Sequence, residues 1–125
     1  MTLLDPSLVE TLLNMSESDV LDFKRDQYPL AGASDEEKSE LVKDVLAFAN
    51  AWKTDDAHVV IGANENPGGR AHVVGVGGHL NDADLQQLVN SKTNVPVSFE
   101  YLSIAVDGLP VGVIRIRKAS GVWWN

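Results

Sequence analysis

Cysteine is absent from this 125-residue chain, so no disulfide can staple it and no thiolate can ligate zinc. Long apolar runs are absent as well. Nothing approaches the roughly 18 residues of a membrane-spanning helix, and the first residues lack the basic segment and apolar core of a secretory leader. Positive charge is scarce: ten lysines and arginines against eighteen aspartates and glutamates leave a formal charge of −8. Affinity for nucleic acid comes largely from cations that neutralise phosphates and release counterions. Binding to DNA or RNA by overall charge is therefore excluded. A local basic face, a divalent metal, a partner chain or a further C-terminal part has to supply the attraction. The glycine-rich turn Asn66-Pro67-Gly68-Gly69-Arg70 lacks the Gly-Lys-Ser/Thr of a P-loop, which argues against nucleotide hydrolysis. His58, His72 and His79 show no metal-binding spacing. These absences together give the expectation of a cytoplasmic chain.

What is present is the apolar and charged mixture of an ordinary globular domain. The length suits one domain with a single core and is too short for two. The expected division is a domain over residues 1–118 and a tail over 119–125. The tail, Val122-Trp123-Trp124-Asn125, carries no stop signal. Trp123 and Trp124 offer an apolar anchor for a missing C-terminal region or for a second copy.

Local patterns predict an α/β (α+β) domain. Asp5-Pro6-Ser7 opens a short helix to about Asn14. Val20 to Arg25 alternates as a strand, with Leu21 and Phe23 on one face and Asp22 and Lys24 on the other. Ser34-Asp35-Glu36-Glu37 is a capping box for a helix to about Trp52, whose buried side carries Leu41, Val45, Phe48 and Ala49. His58 to Ala63 is apolar without alternation and reads as a strand covered on both faces. Ala71 to Val76 reads as a returning strand, and Asn81 caps a helix from Asp82 to about Ser91. Asp107-Gly108 joins strands over Val97 to Val106 and Leu109 to Lys118 as a hairpin. The expected result is a mixed, largely antiparallel sheet with about three helices.

Two residues apart on a strand, Asp22 and Lys24 leave the same face. A carboxylate that holds a divalent cation, beside a lysine that steadies phosphate charge, suits phosphodiester hydrolysis. Glu17 and Glu65 are placed to complete a three-carboxylate pocket for Mg²⁺ or Mn²⁺. The competing reading is a solvated surface pair of small worth. Arg115 and Arg117 alternate with Ile114 and Ile116, and Lys118 follows. Two guanidinium groups on one face can straddle successive phosphates, or can keep an exposed strand charged against edge pairing. Lys24 and Arg25 form a second small basic spot. Trp52, Trp123 and Trp124 are candidates for base stacking or for packing.

The order of motifs carries more than any single one. Glu17-Ser18-Asp19-Val20-Leu21-Asp22-Phe23-Lys24 is followed by Leu46-Ala47-Phe48-Ala49-Asn50 and then by Val59-Val60-Ile61-Gly62-Ala63-Asn64-Glu65. This resembles the Schlafen AlbA-type domain over residues 17 to about 76. The chain departs from that pattern by lacking Gly-Gly after Asn50 and by reading Asn64-Glu65 in place of two aspartates. The resemblance implies a nucleic-acid-binding domain for DNA or RNA, as a module of a larger bacterial regulatory or defence protein. It implies acidic positions at Glu17, Asp22 and Glu65 like those of the family's metal-dependent endoribonucleases, with Lys24 beside them. A binding module, a Mg²⁺- or Mn²⁺-dependent endoribonuclease and a protein-interaction domain all remain open from sequence. The binding reading further expects Lys24, Arg115 and Arg117 to share one continuous positive patch.

Overall fold

The computed structural model describes residues 5–29, 32–50, 55–94 and 96–117. The elements follow in the order α1 (Pro6–Leu13), β1 (Leu21–Lys24), α2 (Asp35–Asn50), β2 (Ala57–Ile61), β3 (Ala63–Asn64), β4 (His72–Val73), α3 (Asp82–Asn90), β5 (Phe99–Val106) and β6 (Leu109–Ile116). The helix starts are those read from the caps. Asp5 accepts from the Ser7 amide, Ser34 and Glu37 satisfy each other's amides, and Asn81 accepts from the Asp84 amide. Each arrangement satisfies an amide that the first helical turn leaves without a partner.

Four strands form a sheet in the order β1-β2-β6-β5, and β3 pairs with β4 as a small separate ribbon. β1 runs parallel to β2, while the β2–β6 and β6–β5 pairs are antiparallel. The hairpin between β5 and β6 turns at Asp107 and Gly108, both with positive φ (54° and 76°), as a two-residue turn matched to strand twist requires. The apolar run that began as β2 is interrupted at Gly62, with φ 106°. A Cβ there would lie 3.2 Å from the Gly75 carbonyl carbon. The chain kinks at this glycine and continues as β3, so the expected single strand is two. The strand expected over Ala71 to Val76 pairs only at His72–Val73.

The sheet is covered on both faces, and this decides where the polar residues go. On one face, Val9, Leu12 and Leu13 of α1 pack on Leu21, Phe23, Val60 and Val113. On the other, Leu41 and Val45 of α2 and Leu85 and Val89 of α3 pack on Val59, Ile61, Ile114 and Ile116. The alternation of β1 places Asp22 and Lys24 on the α2 and α3 side, at the edge of the sheet. Arg70 ties three segments together from outside. Its guanidinium reaches Glu10 of α1 at 2.7 Å and Asp107 of the hairpin at 2.9 Å. Among the described residues no helix is long and apolar enough to cross a membrane.

Candidate nucleic-acid interface

At the start of β1 the chain folds back through a bridge between Ser18 and Leu21, which brings Glu17 over the strand. The Glu17 carboxylate accepts from the Phe23 amide at 3.0 Å, and the Glu17 amide donates to the Glu65 carboxylate at 2.7 Å. A hydrogen bond with the Asp22 carboxyl pushes the Glu17 pKa above the usual carboxylate range. The Phe23 amide opposes the shift, and burial and the charges of Asp22 and Glu65 add to it. Tertiary structure does gather Glu17, Asp22 and Glu65.

They do not form a ready metal cage. Among the described residues no three acidic, histidine or cysteine groups stand so as to hold a metal ion. The Glu65 carboxylate is engaged by the Glu17 amide, and Asp22 is already faced by a cation. The Lys24 ammonium lies 3.3 Å from Asp22 and 3.5 Å from Asp44. Burial is the largest single influence on Lys24 and works against its charge. The combined pull of Asp22 and Asp44 outweighs burial and holds its pKa above the usual lysine value. As arranged, one lysine offsets part of the negative charge of the carboxylate row.

Asp44 and Tyr28 were not legible as part of this row. Asp44 sits on α2 one position before the buried Val45, and it accepts the Tyr28 hydroxyl. Burial, then the hydrogen bond and charge of Asp44, push the Tyr28 phenol far above its ordinary range. Only the helical offset beside Val45 hinted that Asp44 would lie at the helix–sheet seam.

The arginines expected to extend a positive patch do otherwise. Arg115 pairs across the sheet with His58 and Glu100, and His58 with Leu21. Direct cross-strand neighbours share a face, so Arg115 lies on the α1 side and Lys24 on the opposite side. Arg115 is only 3% exposed, because β6 is an interior strand and neither sheet edge. The single continuous patch of Lys24, Arg115 and Arg117 is therefore corrected, and so is the edge-protection reading. Arg115 lies 3.6 Å from Glu100. Arg117 lies 3.5 Å from Glu100 and 4.0 Å from Asp56. Arg25 is exposed just after β1. Lys118, Trp52, Trp123 and Trp124 lie outside the described residues.

Beside these arginines, His58 is buried, and its Nε2 has no hydrogen-bond partner among the described residues. Burial, followed by the charge of Arg115, lowers its pKa; Asp56 opposes this and Arg117 adds to it. The folded state therefore holds the imidazole neutral more strongly than the unfolded state, whose value is near 6.5. Stability from this group is complete above about pH 6.5 and is lost as pH falls below it toward the lowered folded value. Urea midpoints at pH 7.5 and 5.5 should differ less for His58→Leu than for the parent chain. Equal pH dependence in both would refute this account.

The comparisons with known proteins agree with this architecture. The chain is similar to the crystal structure of the DIP2311 protein from Corynebacterium diphtheriae, with TM-score 0.55 and 20% identity over 91% of this chain and 22% of that one. It is similar to the solution structure of the N-terminal domain of a putative ATP-dependent DNA helicase RecG-related protein from Nitrosomonas europaea. That likeness has TM-score 0.52 and 26% identity, and covers 90% of this chain and 72% of the other. The chain thus spans about a fifth of the length of the first. No curated protein matches. The Schlafen, AlbA_2 family description matches residues 17–122, from Glu17 ahead of β1 to beyond the last strand of the sheet, and the chain belongs to that family.

Proposed function

We propose that this domain binds nucleic acid as one module of a larger protein. The observation that carries the reading is the likeness, over 90% of this chain, to the N-terminal domain of a DNA helicase-related protein. Membership of the Schlafen AlbA_2 family supports it. With a net charge of −8, attraction has to be local. Fluorescence anisotropy with short single-stranded RNA, single-stranded DNA and duplex DNA tests the reading. At least one should bind at low salt, with affinity falling log-linearly as salt rises. No binding of any of the three at low salt refutes it.

Cleavage of RNA is a second reading, favoured by the neighbouring Glu17 and Asp22 carboxyls beside the Lys24 ammonium. Its residues are Glu17, Asp22, Lys24 and Glu65, with Mg²⁺ or Mn²⁺ as the proposed cofactor. Among the described residues no ready set of three ligands is present, so the reading demands that added metal change what the carboxylates do. Mn²⁺ should then raise RNA affinity or release cleavage products, and Asp22→Asn should abolish either effect. RNA binding indifferent to Mn²⁺, with no product, leaves the domain a binding module only.

A further inference from the structure

Positive charge on this acidic domain is unevenly placed. Among the described residues, Lys24, Lys43, Arg70, Arg115 and Arg117 stand in ion pairs. Arg25, Lys38 and Lys92 stand in none. Lys38, on the second turn of α2, and Lys92, just after α3, face the same recess. A cavity of about 890 Å³ runs from Gln27 and Tyr28 past Gly78 and His79 to α3. Another of about 410 Å³ lies between α2 and α3. Lys38, Leu88 and Ser91 line both, so the two form one track. The second cavity adds Lys43 and Lys92. Lys43 keeps only a 3.8 Å contact with Glu40 between two largely exposed side chains. Against these three lysines the track carries Asp35 and Asp84. A local surplus of cations in a recess is what a polyanion needs on an otherwise repelling surface.

The end of the track near β1 is built rigidly. The Tyr101 hydroxyl accepts from Gln27 Nε2 at 2.8 Å. The same hydroxyl lies 2.8 Å from His79 Nδ1, and this hydrogen bond fixes the orientation of the imidazole on the cavity wall. Gln27 is itself fixed: its Nε2 also donates to the Gly78 carbonyl, and its Oε1 accepts from the Tyr28 amide. Next to His79, a Cβ added at Gly77 or Gly78 would meet nothing within 4 Å, and neither residue has a positive φ. Glycine at these positions leaves the main chain beside the cavity bare, so that a ligand can approach it closely.

We infer that this track, from His79 past Lys38 to Lys92, seats the sugar–phosphate backbone of a single-stranded nucleic acid. Lys38 and Lys92 contact phosphates, and the His79 ring stands at the end bounded by Tyr28. The inference rests on the nucleic-acid reading above and gives it a location. A concave recess between two helices suits an extended single strand better than the convex surface of a duplex. Tyr28 links the track to the carboxylate row through Asp44.

The test is anisotropy of fluorescein-labelled 15-nucleotide oligo-U and oligo-dT against the full chain and its Lys38→Glu/Lys92→Glu variant over a salt series. Neither lysine pairs with a described residue, so the variant should keep its fold, which a thermal melt checks. The expected result is a loss of affinity of roughly tenfold or more and a salt slope smaller by about 2. In ¹⁵N-labelled protein, oligo-U should shift the amides of Gly77 and Gly78. Unlabelled poly-glutamate is the acidic-peptide control and should fail to displace the oligonucleotide. A parent chain that binds neither oligonucleotide overturns the nucleic-acid reading itself. A parent chain that binds, with a variant of equal affinity and slope, overturns the track and leaves that reading standing. Displacement by poly-glutamate at similar concentration overturns the assignment to nucleic acid in favour of an acidic peptide.

Discussion

Removing the Glu100 carboxylate with Glu100→Ala should lower the stability of the domain by about 3 kcal/mol, read from urea denaturation at neutral pH. Glu100 is the acid nearest the buried Arg115, at 3.6 Å, and it also meets Arg117 at 3.5 Å. Arg117 retains Asp56 at 4.0 Å, but Arg115 would keep its charge at 3% exposure beside a neutral His58. The cost of a buried pair lies mainly in breaking it by one partner. Replacing both partners with neutral groups of similar volume is often harmless. Arg115→Met combined with Glu100→Gln should therefore recover most of the loss. The account fails if Glu100→Ala is neutral, or if the double variant is as unstable as the single one.

A single methyl group at Gly112 is expected to do comparable damage. β6 passes beneath the ring of Tyr101, and a Cβ at Gly112 would lie 2.3 Å from the Tyr101 hydroxyl oxygen and 2.8 Å from Cζ. The main chain of a paired interior strand cannot retreat, so the ring has to leave. Overpacking of this kind costs about 1–3 kcal/mol. Displacing the hydroxyl also strips partners from Gln27 and His79, at roughly 1 kcal/mol for each group left unsatisfied. Gly112→Ala should lower the melting temperature by roughly 10 °C. In a Tyr101→Leu background the same substitution should cost much less, because the colliding atoms are gone. Equal costs in both backgrounds would show that the ring is not the obstacle. This glycine adjoins the wall that fixes His79, so the variant should also weaken oligonucleotide binding at temperatures where it remains folded.

Much of this architecture was legible because its causes are local. The caps at Asp5, Ser34 and Asn81 determine where the helices start, and the spacing of Leu41 and Val45 determines which face is buried. Asp107-Gly108 admits one kind of hairpin. The unbroken apolar run of β2 could only be a strand covered on both sides. Its interruption was less visible, since the sequence shows a glycine at position 62 but not the main chain of Gly75 crossing beside it.

The candidate site divides along the same line. That Asp22 and Lys24 share a face follows from the period of a strand, and the motif order of residues 17–65 was sufficient to indicate the family. Which cations share a surface is a property of strand order and register, and these depend on pairing between residues far apart in the chain. Placing β6 between β2 and β5 buries Arg115 and turns it away from Lys24. The packing of α2 against β1 brings Asp44 to Lys24, and the packing of α2 beside α3 lines up Lys38 and Lys92, neither of which carries any signal in sequence. Local chemistry determined the elements and the faces of each. Tertiary structure alone decided which charges neutralise one another inside the fold and which are left free for a partner, because Coulomb interactions depend on separation in space and on burial.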